Sequence, residues 1–222
     1  MDYSGPQPAD FANVRSLNKA FLRCLRSVAA GSRMRRMLPE AAGTAVLGLG
    51  EGEIARLADV PILLVSVREY DDGYWQTLLD SEPTGSLLDD RPGTPEVAEV
   101  AAATLAFLWQ AARHNPYTAR LVSGATLAWC ERLAGWTLQG VLWRARGRAE
   151  LLGPRFAGDA EVWQRLLESG LSPLPEVRRA ARIAVLQRMH TGPCARIAPR
   201  RRAAACRSAV PSFGIAEKPG PR

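Results

Sequence analysis

Arginine and tryptophan are the residue types in this chain whose spacing invites a function. Arg144 and Arg146 follow the turn signal Gly135-Trp136-Thr137, where the second helix of a helix-turn-helix over residues 125–146 would carry them. Guanidinium groups so placed contact phosphates or base edges when the helix enters a groove. Glu131 stands four residues before the turn glycine, where that motif uses a small residue. Helix–glycine–helix pairs are also common in any helical protein, so DNA reading is the minority expectation. Arg200, Arg201 and Arg202, with Arg196 and Arg207 nearby, make a second basic run suited to phosphate. Trp129, Trp136 and Trp143 recur every seven residues. Core packing accounts for most such rings, and Trp136 and Trp143 are the candidates for anchoring a partner protein.

Other chemistries find no constellation. His114 and His190 have no carboxylate or cysteine at ligand spacing, and His190 with Cys194 and Cys206 is a loose cluster in a basic tail. Cys24 and Cys130 fall on apolar helix faces and are read as small buried hydrophobes. Glu69, Asp71, Asp72, Asp89 and Asp90 lie in turn-like stretches and are read as helix caps and solvated loop charges, with no positioned base or nucleophile beside them. Gly48-Leu49-Gly50-Glu51-Gly52 lacks the third glycine of a dinucleotide fingerprint and the lysine of a phosphate loop. The expectation is therefore no catalytic residue, no cofactor, no metal and no small-molecule substrate.

Charge divides the chain. The formal net charge is +7, and from Thr191 onward six arginines and Lys218 stand against Glu217 alone, a surplus of 7 − 1 = +6. The preceding body carries only 7 − 6 = +1, whereas a duplex-binding domain concentrates its surplus on the folded part. No apolar run approaches the ~20 residues needed to cross a bilayer, and the first residues lack the pattern of a secretory signal. The expected location is the cytoplasm.

The elements that must position these residues are written twice. Tyr74-Trp75-Gln76-Thr77-Leu78-Leu79 returns as Val162-Trp163-Gln164-Arg165-Leu166-Leu167, 88 positions on. Ala20-Phe21-Leu22 returns as Ala106-Phe107-Leu108, 86 positions on. Asp10 reads as a cap for a helix whose apolar stripe is Phe11, Val14, Leu17, Phe21, Leu25 and Val28, with Asn18, Lys19, Arg23 and Arg26 mostly on the other side. A helix from Val97 to Ala112 repeats that pattern. Asn115, Thr137, Asp72 and Asp159 read as helix caps, and residues 175–190 as a last helix without a counterpart. Residues 40–52 read as a short helix or loop. Residues 62–67 are rich in β-branched side chains, and their counterpart at 149–152 is not. Helix or an extended core segment is expected there.

Leu17-Asn18 with Phe21-Leu22, then Leu57-Ala58, Leu63-Leu64 and Val67-Arg68, form a pattern that resembles the FlhD-type flagellar transcriptional activators. The likeness covers about residues 14–70. It is echoed over 102–156 by Leu133-Ala134, Leu138, Leu151-Leu152 and Arg155-Phe156. The resemblance implies a small all-α protein whose long first helix builds a dimer core, acting as the regulatory partner of a zinc-containing DNA-binding subunit. Where the family has a cysteine after the paired leucines, this chain has Val65. The duplication and the Trp-Gln-x-Leu-Leu helices lie outside the family pattern.

The expected architecture is all-α: a flexible arm over 1–13, one helical unit over 14–82, a linker over 83–95, a second unit over 96–190, and a disordered basic tail over 191–222. The two units are expected to pack as an internal pseudo-dimer. The expected function is a non-enzymatic regulatory or protein-interaction subunit of the FlhD type, with a protein partner and DNA as a further contact. The alternative is an adaptor or assembly factor that touches no nucleic acid.

Overall fold

The computed structural model describes residues 5–28, 32–80 and 95–191. The fold is all-α, with eleven α-helices and two two-residue strands among the described residues. None of these helices is long and apolar enough to cross a membrane.

Helix α1 (Pro8–Ser27) starts earlier than expected, inside the stretch read as a loose arm. Pro8 suits a first helical position because its missing N–H would have no helical partner. The Asp10 carboxylate accepts the Gln7 backbone N–H at 2.8 Å, so Asp10 works from inside the first turn rather than as the cap. The helix stops at Ser27, four residues before Gly31. Of its expected stripe Val14, Leu17, Phe21 and Leu25 are buried, Val28 is half-buried and Phe11 is exposed, while Leu22 and Asn18 are buried as well. The Asn18 amide donates to the carbonyls of Ala58 at 3.3 Å and Ile62 at 2.8 Å, and its oxygen accepts Leu64 N–H at 2.7 Å. One side chain thus satisfies the backbone of a non-helical segment that would otherwise be buried unpaired.

Helices α2 (Arg33–Arg36), α3 (Glu40–Leu47) and α4 (Glu51–Ala58) follow, so residues 40–52 hold two helix segments around a turn. Residues 62–67 are extended, not helical, and contain β1 (Val65–Ser66). Helix α5 (Asp72–Asp80) is capped by Asp71, whose carboxylate accepts Tyr74 N–H at 3.0 Å; Asp72 is its first residue. That hydrogen bond and the Arg68 guanidinium hold the Asp71 carboxyl below the usual carboxylate range.

The second set is α6 (Pro95–His114), α7 (Pro116–Ser123), α8 (Leu127–Ala134), α9 (Leu138–Ala145), a 3-10 turn (Ala149–Leu151), β2 (Gly153–Pro154) and α10 (Ala160–Glu168). Asn115, Thr137 and Asp159 cap α7, α9 and α10 as expected. Helix α11 (Pro175–Thr191) closes the described chain. Helices α1 and α6 are both 20 residues long, α3, α4, α8 and α9 all 8, and α5 and α10 both 9.

The local construction repeats as well as the lengths. Arg68 and Phe156, 88 positions apart, are the non-glycine residues with left-handed backbone among the described residues, at φ 59° and 57°. Each turns the chain so that its carbonyl accepts a tryptophan Nε1–H from the next helix, Trp75 at 2.9 Å and Trp163 at 3.2 Å. Both indoles are buried.

Contacts cross between the two sets. The long helices α1 and α6 pack on each other. Strand β1 pairs antiparallel with β2, Val65 opposite Pro154 and Ser66 opposite Gly153. Helix α5 touches α8 through Trp75 and Trp129, ring centroids 5.8 Å apart, and α10 packs on α3. One cluster of buried apolar residues runs through both sets.

Candidate functional site

Two places gather polar chemistry. The first is a buried ion pair at the strand crossing, which corrects the expectation that Glu69 is a solvated loop charge. Arg155 Nη1 donates to Glu69 Oε1 at 2.6 Å, and the two side chains are 3% and 0% exposed. Arg155 Nε donates to Leu63 O at 2.6 Å, Nη2 to Val65 O at 2.8 Å, and Nη1 also to Ser123 O. The other Glu69 oxygen accepts Ser66 Oγ–H at 2.8 Å and Val67 N–H at 2.9 Å. Each nitrogen of this guanidinium is engaged by the chain itself, and both carboxylate oxygens are occupied. The arrangement holds the 63–69 segment to residue 155 and to the end of α7. The offset of 88 places Arg155 opposite Val67, so only one of the two matched corners carries the arginine.

Beside this crossing lies a cavity of about 510 Å³ lined by Tyr70, Pro154, Phe156, Asp159, Arg188 and Met189. Its polar groups are turned to one another: Arg188 reaches Asp159 at 3.0 Å and Tyr70 Oη donates to Gly124 O at 2.7 Å. The cavity has a mostly apolar wall and no converging reactive groups.

The second place is the end of the helix pair α8–α9, where the structure brings together the arginines and tryptophans singled out from sequence. The Arg144 guanidinium sits 4.8 Å from the Trp136 ring centroid, and that of Arg148 5.7 Å from Trp143. Arg113 on α6 lies 5.2 Å from Trp109, whose Nε1–H donates to Trp136 O at 2.8 Å. Trp136 in turn packs against Trp75, ring centroids 5.5 Å apart. A guanidinium over an indole face gains from the ring quadrupole. Arg144 Nη1 also donates to Gly140 O at 3.1 Å. Burial, with the neighbouring Arg148 charge adding to it, lowers the Arg144 pKa from the ordinary arginine value. The Nε atoms of Arg144 and Arg148 are shut from solvent without a hydrogen-bond partner among the described residues.

Trp143 is buried at 6% exposure, which corrects its expected role as a partner anchor; its ring packs inward. Trp136 is half-buried beneath Arg144. What α9 turns outward is different: Leu138 is 47% exposed and Leu142, one turn on, 37%. Arg146, another turn on, lies on the same side and is half-buried. Two helices joined by a turn are present over residues 127–145, and the second exposes Leu138 and Leu142 together with Gln139. The sequence passed over these leucines because Leu138 and Leu142 fit a core stripe as well as Val141 does. Their counterparts on α4, 87 positions earlier, are Glu51 and Ala55, and that contrast was the available signal.

Arg200, Arg201 and Arg202 lie outside the described residues. No group of three or more potential metal ligands is found among the described residues. Burial pushes the Cys24 thiol up to about 11 and the Cys130 thiol to about 12, as fits small core side chains. No family model matches the chain, and no characterised protein or solved structure matches it either.

Proposed function

We propose that this chain is a non-enzymatic regulatory subunit that acts by holding a protein partner, as the resemblance to the FlhD-type activators implies. In this reading the two units form within one chain the pairing that two subunits form in that family. Four features support the pairing: the contact of α1 with α6, the pairing of β1 with β2, the packing of α10 on α3, and the Trp75–Trp129 ring contact between α5 and α8.

The observation that carries the partner role is the outward face of α9. Glu51 on the matched helix α4 is paired with Arg23 at 2.6 Å and Arg26 at 2.7 Å. The α9 face instead presents Leu138 and Leu142 with arginines beside them. Adjacent exposed apolar side chains on a packed helix are the kind of surface a partner protein covers. The same leucines favour the second reading, an adaptor or assembly factor without nucleic-acid contact, since they offer a groove no donors or acceptors. Arg200, Arg201 and Arg202 are the residues that would add phosphate contacts in the regulatory reading.

A photoreactive residue at Gln139, introduced into the full chain in its native cells, tests the partner role. A discrete crosslinked protein that disappears with Leu142→Asp is the expected result, and no discrete product would refute it. Duplex titration at two salt concentrations separates the two readings. Binding retained by a chain ending at Thr191 supports contact through the folded body. Binding lost with the tail leaves the body an adaptor.

A further inference from the structure

We propose that the cavity beside the strand crossing is a binding site for a small, uncharged, chiefly aromatic molecule. The site is separate from the α9 face and does not depend on a partner protein being held there.

The duplication puts this cavity where the two units meet. Ser66 and Tyr70 line it from the first unit, and their counterparts 88 positions on, Pro154 and Gly158, line it from the second. Helix α11, which has no counterpart, adds Arg188 and Met189. The walls thus come from three parts of the chain, and clefts between packed units are common seats for small ligands. The volume of about 510 Å³ falls within the range of such sites, roughly 300–1,000 Å³.

The walls are set before anything binds. Tyr70 Oη is tied to the Gly124 carbonyl at 2.7 Å. Tyr70 and Met189 both close on Gly124, where an added Cβ would lie 2.7 Å from Tyr70 Oη and 2.8 Å from Met189 Cγ. The corner at Phe156 is pinned by Trp163 Nε1–H at 3.2 Å. Asp159 accepts Val162 N–H at 3.1 Å and Arg188 at 3.0 Å. A ligand that meets ready-made walls loses little to ordering them.

The same bonds select the chemistry. Arg188 and Asp159 cancel each other's charge at the wall. Ser66 Oγ–H is given to Glu69 at 2.8 Å, and each nitrogen of Arg155 is engaged by Glu69 or by a backbone carbonyl. A charged ligand would break the Arg188–Asp159 pair or sit unpaired against apolar surface, and both cost free energy. Pro154, Phe156 and Met189 offer that apolar surface. A thioether gains from contact with a ring, and rings gain from edge-on or offset contact with one another. An uncharged aromatic molecule takes these contacts without disturbing a bond already made.

Indole is the probe, titrated into the full chain with isotope-labelled methionine methyl groups. Its charged derivatives indole-3-acetate and tryptamine are the matched comparisons. Indole is expected to shift the Met189 methyl signal, to bind with a Kd below about 1 mM, and to raise the melting temperature. Each charged derivative is expected to bind about tenfold more weakly or worse. Ala160→Trp, at an exposed position on the cavity wall, is expected to weaken indole about tenfold or more while helical circular dichroism is unchanged. Nuclear Overhauser contacts between indole and the Met189 methyl in the unaltered chain locate the site independently of any variant. Indole that binds more weakly than that, leaves the Met189 methyl untouched, or binds a folded Ala160→Trp as well as the parent would overturn the site. Equal or tighter binding of either derivative would overturn the uncharged class. Binding seen only in a chain ending at Thr191 would give the cavity to residues 192–222 and overturn the proposal.

Discussion

The Arg155–Glu69 pair shows how much one buried charge can organise. Arg155 gathers Leu63, Val65 and Ser123 carbonyls around its guanidinium. Removing one member of such a pair leaves the other charged and desolvated, at a cost of about 3–5 kcal/mol. Glu69→Gln and Arg155→Met are each expected to destabilise the fold by that order. The double variant is expected to lose less than the sum, as read by urea midpoints in a double-mutant cycle; additive losses would show that the two groups act independently. His190 gives a pH test. Burial holds its imidazole below the ordinary value, outweighing a hydrogen bond to the Leu121 backbone. The native side chain stays neutral while the unfolded one takes a proton below about pH 6.5. Stability should therefore fall as pH drops from there toward the lower folded value. His190→Gln should flatten that slope in thermal melts recorded across the window; an unchanged slope would assign it elsewhere.

Elements in this fold are ended and aimed by a few residues of known chemistry. The caps Asn115, Thr137 and Asp159 follow from their side-chain oxygens, and the sequence is enough to place them. The left-handed corners at Arg68 and Phe156 do not follow, because neither residue type favours that backbone. Each is stabilised by an indole donating to its carbonyl from a helix whose position depends on the other unit. Gly124 is the opposite case. It ends α7 at φ 69°, and a Cβ there would lie 2.7 Å from Tyr70 Oη and 2.8 Å from Met189 Cγ. Gly124→Ala is expected to destabilise by about 2 kcal/mol or more, combining the left-handed penalty with displaced side chains. A chemical-denaturation curve within error of the parent would contradict that. At α9, Thr137 and Gly135 predict the helix and its start, but the side that faces out is set by α6, against which the helix packs.

Across the whole molecule, the two element sets are joined by more than their connection. Contacts of α1 with α6, α5 with α8 and α10 with α3 bury apolar side chains drawn from both. A protease site placed within residues 81–94 and cleaved in the native protein should leave halves that co-elute and melt together. Halves that separate without denaturant would mean that each is stable alone. The all-α class and the caps at Asn115, Thr137 and Asp159 were legible because apolar spacing and capping side chains are local signals. The stretch at 62–67 stays open between helix and an extended segment in the sequence because its hydrogen-bond partners are Asn18, Val122 and the β2 strand, all far away along the chain. The amino-acid order alone determined the all-α class and the starts of α7, α9 and α10. Only the tertiary structure decided that Asn18 and Glu69 go inside, that Trp143 is covered and that Leu138 and Leu142 are not. Burial depends on what another element brings to the same place, and no local pattern encodes that.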